Sequence, residues 1–173
     1  MEKTARTSTS KNTGKPSNTL ALIDFVSNLN LFLEALAQLG IDTVPQEYIQ
    51  LLRNFPAELA NQSRSPHQHT DDACVSDLEL LNHPDDIVTI NLEARSHCIA
   101  DPDGNEFHWP DQLLIIGENG EGDYYCLDST GEHSGVLQYR HVLVEFDLIT
   151  DSLDEYVELL KEAYSAGNAI GES

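Results

Sequence analysis

The sequence is poor in basic residues. Its 173 residues include 9 Lys and Arg against 30 Asp and Glu, a formal net charge of −21 at pH 7. Four of the nine basic residues lie in the first 16 positions beside one acid, which leaves five basic and 29 acidic residues elsewhere, a net charge of −24. Nucleic acids and anionic membrane surfaces both require clustered lysine and arginine. The composition therefore excludes these two partners and leaves a basic protein, cations or simple solubility as reasons for the acidity.

Cysteine and closely spaced metal ligands are also scarce. Cys74, Cys98 and Cys126 lie far apart, form no C-x-x-C pair and are odd in number, so no disulfide framework is expected. The seven histidines include His67-x-His69, yet the tight Cys/His spacing of a structural zinc site is missing. We therefore expect no metal and no cofactor, and the free thiols indicate a reducing, cytoplasmic compartment.

Long uninterrupted apolar runs are missing too. Residues 1–19 lack the apolar core of a signal peptide and are basic and polar, so we predict a disordered tail. The stretch Leu20–Leu39 approaches the length of a membrane span, but charged and amide side chains interrupt it. It predicts an amphipathic helix that ends at Gly40, and we expect no membrane association.

The period of the apolar residues changes along the rest of the chain. A second helix should begin at Pro45 and end before Pro56. The segment 60–86 is polar and is typical of an insertion. From Ile87 to Leu92 apolar and polar residues alternate, which predicts a half-buried strand.

Three further apolar runs follow, separated by acidic, glycine-rich turns, and they predict an antiparallel meander. They are Leu113–Ile116, Asp123–Leu127 and Val136–Leu148, with Val142, Val144, Phe146 and Leu148 sharing one face of the last run.

The last predicted element is a helix. Ser152 and Glu155 form a capping box at its start, and Gly167 should end it. Helices, then a sheet, then a helix predict a single α+β domain over residues 20–166, with an antiparallel-rich sheet flanked by N-terminal helices and a C-terminal helix. Residues 167–173 are predicted to be a flexible end.

No catalytic pattern emerges. The acidic turns at 101–106 and 117–123 contain carboxylates and amides but not the spacing of a calcium loop, and hairpin formation by D-G and N-G explains their composition. The glycines at 117–122 are interleaved with acids that would repel phosphate. We therefore predict that the protein is not an enzyme and has no catalytic residue. A metal-dependent enzyme built on the acidic turns is the alternative from a different class.

Three segments carry a family resemblance. Pro45-x-x-Tyr48-x-x-Leu51-Leu52 opens the second helix, Phe107–Pro110 precedes an I-G-x-x-G-x-G-D turn that ends at Asp123, and Asp151–Leu160 begins the last helix. In this order, over about residues 30–164, they resemble the SUKH superfamily, the Smi/Knr-like family. Two departures are Arg53–Pro56, where the family often has an Asn-Gly turn, and the 60–86 insertion.

The resemblance implies a non-enzymatic α+β protein that acts by binding another protein. Bacterial members of the family commonly serve as immunity proteins of polymorphic toxin systems, where each neutralises a cognate toxin, often a nuclease, by stoichiometric binding. Fungal members act as regulators of cell-wall synthesis through protein contacts. This small chain is more similar to the bacterial type, which implies a basic toxin domain as partner. A regulatory or scaffold adaptor that binds a cellular client is the alternative.

The contacts to such a partner are expected among turn acids and nearby aromatic residues. The candidates are Asp101, Asp103, Trp109, Glu118, Glu121, Asp123 and Tyr124. Structural roles compete with this interpretation. Trp109 and one of Tyr124 and Tyr125 are also candidates for the core, because neighbours on a strand point to opposite faces, and Asp123 is a candidate for holding its turn.

Overall fold

The computed structural model describes residues 18–60, 80–119 and 122–170, with side chains described for 28–60, 80–119 and 122–165. The helices are α1 (Asn18–Gln38), α2 (Gln46–Arg53), α3 (Ala57–Ala60), α4 (Pro84–Ser96) and α5 (Leu153–Ile170). The strands are β1 (Ile99–Ala100), β2 (Glu106–Phe107), β3 (Leu113–Glu118), β4 (Tyr124–Asp128), β5 (Val136–Arg140) and β6 (Glu145–Thr150).

The chain divides into two units after Leu31, and the described part of the first unit is the beginning of α1. The second unit contains the other elements, and its combination of helices with antiparallel sheets confirms the predicted α+β class.

The first two helices lie close to their predicted positions. Gly40 follows α1 with φ +86, the left-handed conformation that glycine favours after a helix end. Phe32 and Leu36 of α1 are buried within the second unit. α2 starts directly after Pro45, whose fixed φ suits the entry to a helix.

Two predicted segments fall largely outside the described residues. The predicted tail, 1–19, is described only at its last two positions, which belong to α1. Of the predicted insertion, 60–86, residues 61–79 are outside the description, and residues 80–83 lead directly into α4.

The segment Ile87–Leu92, predicted as a strand, is helical, and that prediction is wrong. It lies inside α4, where a proline and two aspartates in the first turn and Arg95 in the last turn all favour a helix. Ile87, Ile90 and Asn91 are buried at helical spacing, whereas Leu92 is exposed. Over six residues, alternating apolar and polar side chains fit both periods, so the pattern does not separate strand from helix.

The predicted antiparallel meander is confirmed as a four-stranded sheet in the order β3-β4-β5-β6. A bulge interrupts the pairing of β3 with β4 between Ile115 and Gly117. The short hairpin of β1 and β2 is a separate two-stranded sheet. Its turn lies in the acidic segment 101–106, where the sequence predicts a hairpin, but its separation from the other strands has no signal in the sequence.

The last predicted run, Val136–Leu148, is two strands and not one. A turn between β5 and β6, with Val144 at φ 54, reverses the chain. Val142 lies in this turn and is 68 % exposed, so its predicted place on the face of Phe146 is wrong. The turn has no proline and no glycine to mark it, which is why the run looks continuous in the sequence.

Aromatic rings fill the sheet face that packs against α4. Trp109 contacts Tyr139 edge to face at a centroid distance of 5.1 Å, and Phe107 stacks on Tyr139 at 5.6 Å. Tyr125 points to the other face, where its ring lies 5.6 Å from that of Tyr156 in α5. The sheet is therefore covered on one face by α4 and the β1–β2 hairpin and on the other by α5.

α5 begins as predicted. The Glu155 amide donates to Ser152 Oγ (3.2 Å), and the Glu155 carboxylate accepts from the Asp151 amide (3.0 Å), which is a capping-box arrangement. The helix continues to Ile170, so the predicted end at Gly167 is wrong; a glycine inside a helix costs only about 1 kcal/mol. Within the described ranges, no helix is both long and apolar enough to span a membrane.

Candidate partner-binding surface

One edge of the four-stranded sheet is closed by α4. The fully buried Asn91 donates from Nδ2 to the Ile115 carbonyl (2.8 Å) and accepts from the Ile115 amide at Oδ1 (3.0 Å). Arg95 donates to the Leu113 carbonyl (2.8 Å) and to Asn91 Oδ1 (2.9 Å). These side chains pair backbone groups that β3 would otherwise offer to another strand.

The other edge of the sheet is open along β6, since no described residue forms a strand beside it. A groove of about 650 Å³ lies between β6 and α5. Leu148, Ile149 and Leu159 are its apolar lining, and Leu148 is 54 % exposed. An open strand edge beside an exposed apolar side chain suits the attachment of an extended segment from another protein.

Carboxylates dominate the polar lining of this groove. They are Asp151, Asp154, Glu155, Glu158 and Glu162, all of them exposed. Lys161, the single basic residue in the sequence of α5, donates to Glu158 at 2.7 Å. This hydrogen bond raises the pKa of the Lys161 ammonium, and the charges of Glu58 and Asp154 act in the same direction. The local field is therefore negative.

A second groove, of about 560 Å³, adjoins the first at the start of α5. It lies against the loop 128–135, and Asp151 and Asp154 line both grooves. Glu47 of α2 adds a further carboxylate. We refer to the six exposed acids of the two grooves as the α5 acidic surface: Glu47, Asp151, Asp154, Glu155, Glu158 and Glu162.

Asp128 holds the loop that borders the second groove. Its carboxylate accepts hydrogen bonds from the Thr130 amide (2.7 Å), the Thr130 hydroxyl (2.6 Å) and the His133 amide (3.0 Å). Burial acts to raise the pKa of Asp128, but these hydrogen bonds outweigh it and hold the pKa below its ordinary value. The loop is thus shaped by an ionised, buried carboxylate.

The residues predicted from the sequence as partner contacts do not form one surface in the structure. Trp109 is buried and donates from Nε1 to the Leu113 carbonyl (2.9 Å). Tyr124 is half buried, with its ring 5.5 Å from that of Trp109. Partial burial, with the charges of Glu118 and Glu93 adding to it, raises the pKa of the Tyr124 hydroxyl. Both aromatic residues therefore belong to the packed face of the sheet.

The predicted acids lie in two turns. Asp101 accepts from the amide and side chain of Asn105 (2.7 and 2.9 Å) in the β1–β2 turn, and these bonds lower its pKa, the side-chain one most. Asp103 is exposed in that turn. Glu118 is half buried at the end of β3. Glu121 lies outside the described residues.

Asp123 bonds to three other side chains. One carboxylate oxygen accepts from the His141 amide (3.0 Å) and lies 2.7 Å from His141 Nδ1. The other oxygen accepts from Gln138 (3.2 Å) and from Asn119 (3.2 Å). Asp123 therefore ties the β3–β4 turn to the start of the β5–β6 turn.

The acids of α5 were not among the contacts predicted from the sequence. A signal for them exists, because Asp154, Glu158 and Glu162 recur every four residues and so share one helix face. The prediction considered the acidic turns and the aromatic residues near them, and not the exposed face of this helix. The proximity of β6, however, comes from the sheet topology and has no local signal.

One group of described residues has the composition of a metal site. Cys98, Glu106 and His108 each offer a ligand atom, and these atoms lie within 4.8 Å of one another. All three residues are exposed, on or next to the β1–β2 hairpin.

Comparison with known protein families gives a match over most of the chain. The sequence profile of the SMI1 / KNR4 family (SUKH-1) matches residues 29–159, which includes every strand and all of α2, α3 and α4. Searches of curated proteins and of solved structures find no significant match. With three quarters of its length matched, the chain belongs to the SMI1 / KNR4 family (SUKH-1).

Proposed function

We propose that this protein binds and neutralises a basic toxin domain as an immunity protein, by stoichiometric contact through the α5 acidic surface. The observation that carries the proposal is the coincidence of the open β6 edge, the exposed Leu148 and five carboxylates in one groove. Family membership supports binding of another protein in general. The protein acts in the cytoplasm, without catalysis and without a cofactor.

The charge of the chain supports a basic partner. With a formal net charge of −21, the protein attracts a cationic domain over distances longer than a contact, which raises the rate of encounter. A nuclease has such a cationic surface because it binds phosphates. Covering that surface blocks access of the nucleic acid.

The groove supplies the short-range part of the interaction. Backbone groups on the free side of β6 can pair with an extended segment of the toxin, and Leu148 provides an apolar anchor. Lysine and arginine side chains of that segment then face Asp154, Glu158 and Glu162. In this arrangement strand pairing supplies the affinity for the toxin segment, and the acids make binding specific for a segment rich in lysine and arginine.

The turn residues predicted from the sequence enter the proposal in two roles. Asp103, Glu118 and Glu121 contribute to the proposal only through the net negative charge of the chain. Asp101, Asp123, Trp109 and Tyr124 have internal contacts and keep the hairpins and the aromatic face in shape. The α5 acidic surface is therefore the primary contact in the proposal.

Co-expression tests neutralisation. The protein encoded immediately upstream is produced in a bacterial strain alone, with this chain, or with either of two charge variants of the chain. The groove variant is Asp154→Asn, Glu158→Gln and Glu162→Gln. The control variant removes the same number of charges from exposed positions of α4: Asp85→Asn, Asp86→Asn and Glu93→Gln. Circular dichroism verifies that both variants fold.

We expect the upstream protein alone to stop growth, the wild-type chain and the α4 control to restore it, and the groove variant to fail. Equal growth with and without the chain contradicts neutralisation, and a harmless upstream protein favours the adaptor function instead. Full rescue by the groove variant contradicts the location of the contact but not neutralisation itself.

A further inference from the structure

The register of the β1–β2 hairpin brings together three side chains that are distant in the sequence. Ile99 pairs with Phe107, and Ala100 pairs with Glu106. Continuing this antiparallel register by one residue places Cys98 opposite His108. Because alternate residues of a strand share a face, Cys98, Glu106 and His108 all lie on the same side of the hairpin.

The other side of the hairpin is anchored in the core. Phe107 stacks on Tyr139 and contacts the ring of Trp109 at 6.4 Å, so its face of the hairpin is turned inward. Cys98, Glu106 and His108 are consequently turned to solvent. A metal ion reaches this face without any opening of the fold.

The turn of the hairpin is tightly bonded. The Asp101 amide donates to the Asn105 carbonyl (2.9 Å), and the Asp101 carboxylate accepts from the amide and the side chain of Asn105 (2.7 and 2.9 Å). The Gly104 amide donates to the Asp101 carbonyl (2.9 Å). These bonds hold the two strands at a fixed distance. The three ligand side chains are therefore brought together before a metal binds, and the backbone needs no further ordering.

We propose that Cys98, Glu106 and His108 form a Zn²⁺ site on the outer face of the β1–β2 hairpin. A thiolate, an imidazole and a carboxylate are all zinc ligands, whereas calcium and magnesium prefer oxygen alone. His108 Nε2 and Glu106 Oε2 are 3.9 Å apart, and the three ligand atoms lie within 4.8 Å of one another. Rotation of these exposed side chains brings the atoms to the separations of tetrahedral coordination.

Three protein ligands leave one position of a tetrahedral zinc ion for water. Binding requires a deprotonated thiol and a neutral imidazole, so zinc displaces protons and its affinity rises with pH. The site is separate from the α5 acidic surface and does not depend on the proposed function.

Zinc competition tests the site. The purified full chain, reduced with a phosphine, is titrated with Zn²⁺ against a chromophoric chelator. Cobalt provides a second readout, because Co²⁺ bound to a thiolate has a charge-transfer absorption that Co²⁺ bound to nitrogen and oxygen lacks. The site variants are Cys98→Ser and His108→Ala. Control variants change histidine and cysteine residues outside the proposed site: His67→Ala with His69→Ala, Cys74→Ser, and the adjacent His97→Ala.

We expect one Zn²⁺ per chain, with each site variant weakening binding at least about 100-fold, since loss of supporting residues alone costs 10–100-fold. The cobalt–thiolate absorption should vanish in Cys98→Ser. The control variants should bind as the wild type does. Unchanged binding in Cys98→Ser and His108→Ala, loss of binding in a control variant, or no stoichiometric binding in the wild type would each overturn the proposal.

Discussion

Asn91 shows how one residue can connect two elements. Its side chain bonds to both backbone groups of Ile115, accepting from the N–H and donating to the carbonyl. A neighbouring strand would otherwise make these two hydrogen bonds. Asn91 also donates to the Ile87 carbonyl of its own helix (2.8 Å). An apolar side chain of similar size would fill the space but would leave these buried groups without a partner.

We predict that Asn91→Leu lowers the free energy of unfolding by about 2–4 kcal/mol, because two buried backbone groups of Ile115 lose their partner. Urea denaturation measures this change. Thr89→Ala serves as the control, since Thr89 is exposed and bonds only to Asp85 of its own helix, and it should cost less than about 0.5 kcal/mol. An Asn91→Leu protein as stable as the wild type would contradict the role of Asn91 in closing the sheet.

Asp128 gives a prediction for how the stability of the protein depends on pH. Its pKa is lower in the folded protein than in the unfolded chain, so its contribution to stability is complete above the unfolded value of about 4 and is lost as the pH falls through the folded value. Asp128→Asn cannot accept the same three hydrogen bonds. It should lower the free energy of unfolding by about 1.5–3 kcal/mol at neutral pH.

Urea denaturation between pH 3 and pH 7 measures this effect, with Asp103→Asn, an exposed turn acid, as the control. The difference between wild type and Asp128→Asn should be constant above about pH 5 and shrink below about pH 4. A difference that does not change with pH would show that the charge of Asp128 does not stabilise the loop.

At the level of elements, local patterns are informative where a capping residue or a turn residue marks the boundary. Pro45, Gly40 and the Ser152–Glu155 box placed helix ends near their observed positions. Ile87–Leu92 could not be assigned by periodicity, because a six-residue alternation fits a strand and a helix alike. There the proline and the two aspartates in the first turn of α4 were the better signal.

Gly135 joins the loop 128–135 to β5 and approaches β6 closely. A Cβ atom at this position would lie 1.9 Å from the Thr150 carbonyl oxygen, and φ is +85. We predict that Gly135→Ala lowers the free energy of unfolding by more than about 3 kcal/mol, because steric overlap adds to the cost of the left-handed backbone.

The matched control is Gly131→Ala in the same loop. Gly131 has φ +75, but a Cβ atom there would meet nothing within 4 Å, so only the backbone cost of about 1–2 kcal/mol applies. Thermal or urea unfolding of both variants separates the two contributions. Equal losses in the two variants would contradict the close contact between the loop and β6.

At the scale of the whole molecule, the net charge can be read from the sequence, whereas the surface on which the acids are grouped cannot. The excess of acids over bases suits a basic partner, and the family resemblance is the reason to prefer one. Asp123 and Trp109 were chosen from turn composition and aromatic content, but their contacts include residues far away in the sequence. For Asp123 those residues include Gln138 and His141 on a neighbouring hairpin. Asp101, by contrast, bonds to Asn105 within its own turn.

The central claim is that the α5 acidic surface makes the contact with the basic partner, and affinity measured on the purified complex tests it most directly. The groove variant and the α4 control each remove three negative charges, so long-range attraction is weakened equally in both. We predict that Asp154→Asn, Glu158→Gln and Glu162→Gln together raise the dissociation constant by more than about 30-fold. The α4 control should change it by less than about threefold. Equal weakening by both variants would contradict the claim, because it would show that the partner responds to net charge and not to this surface.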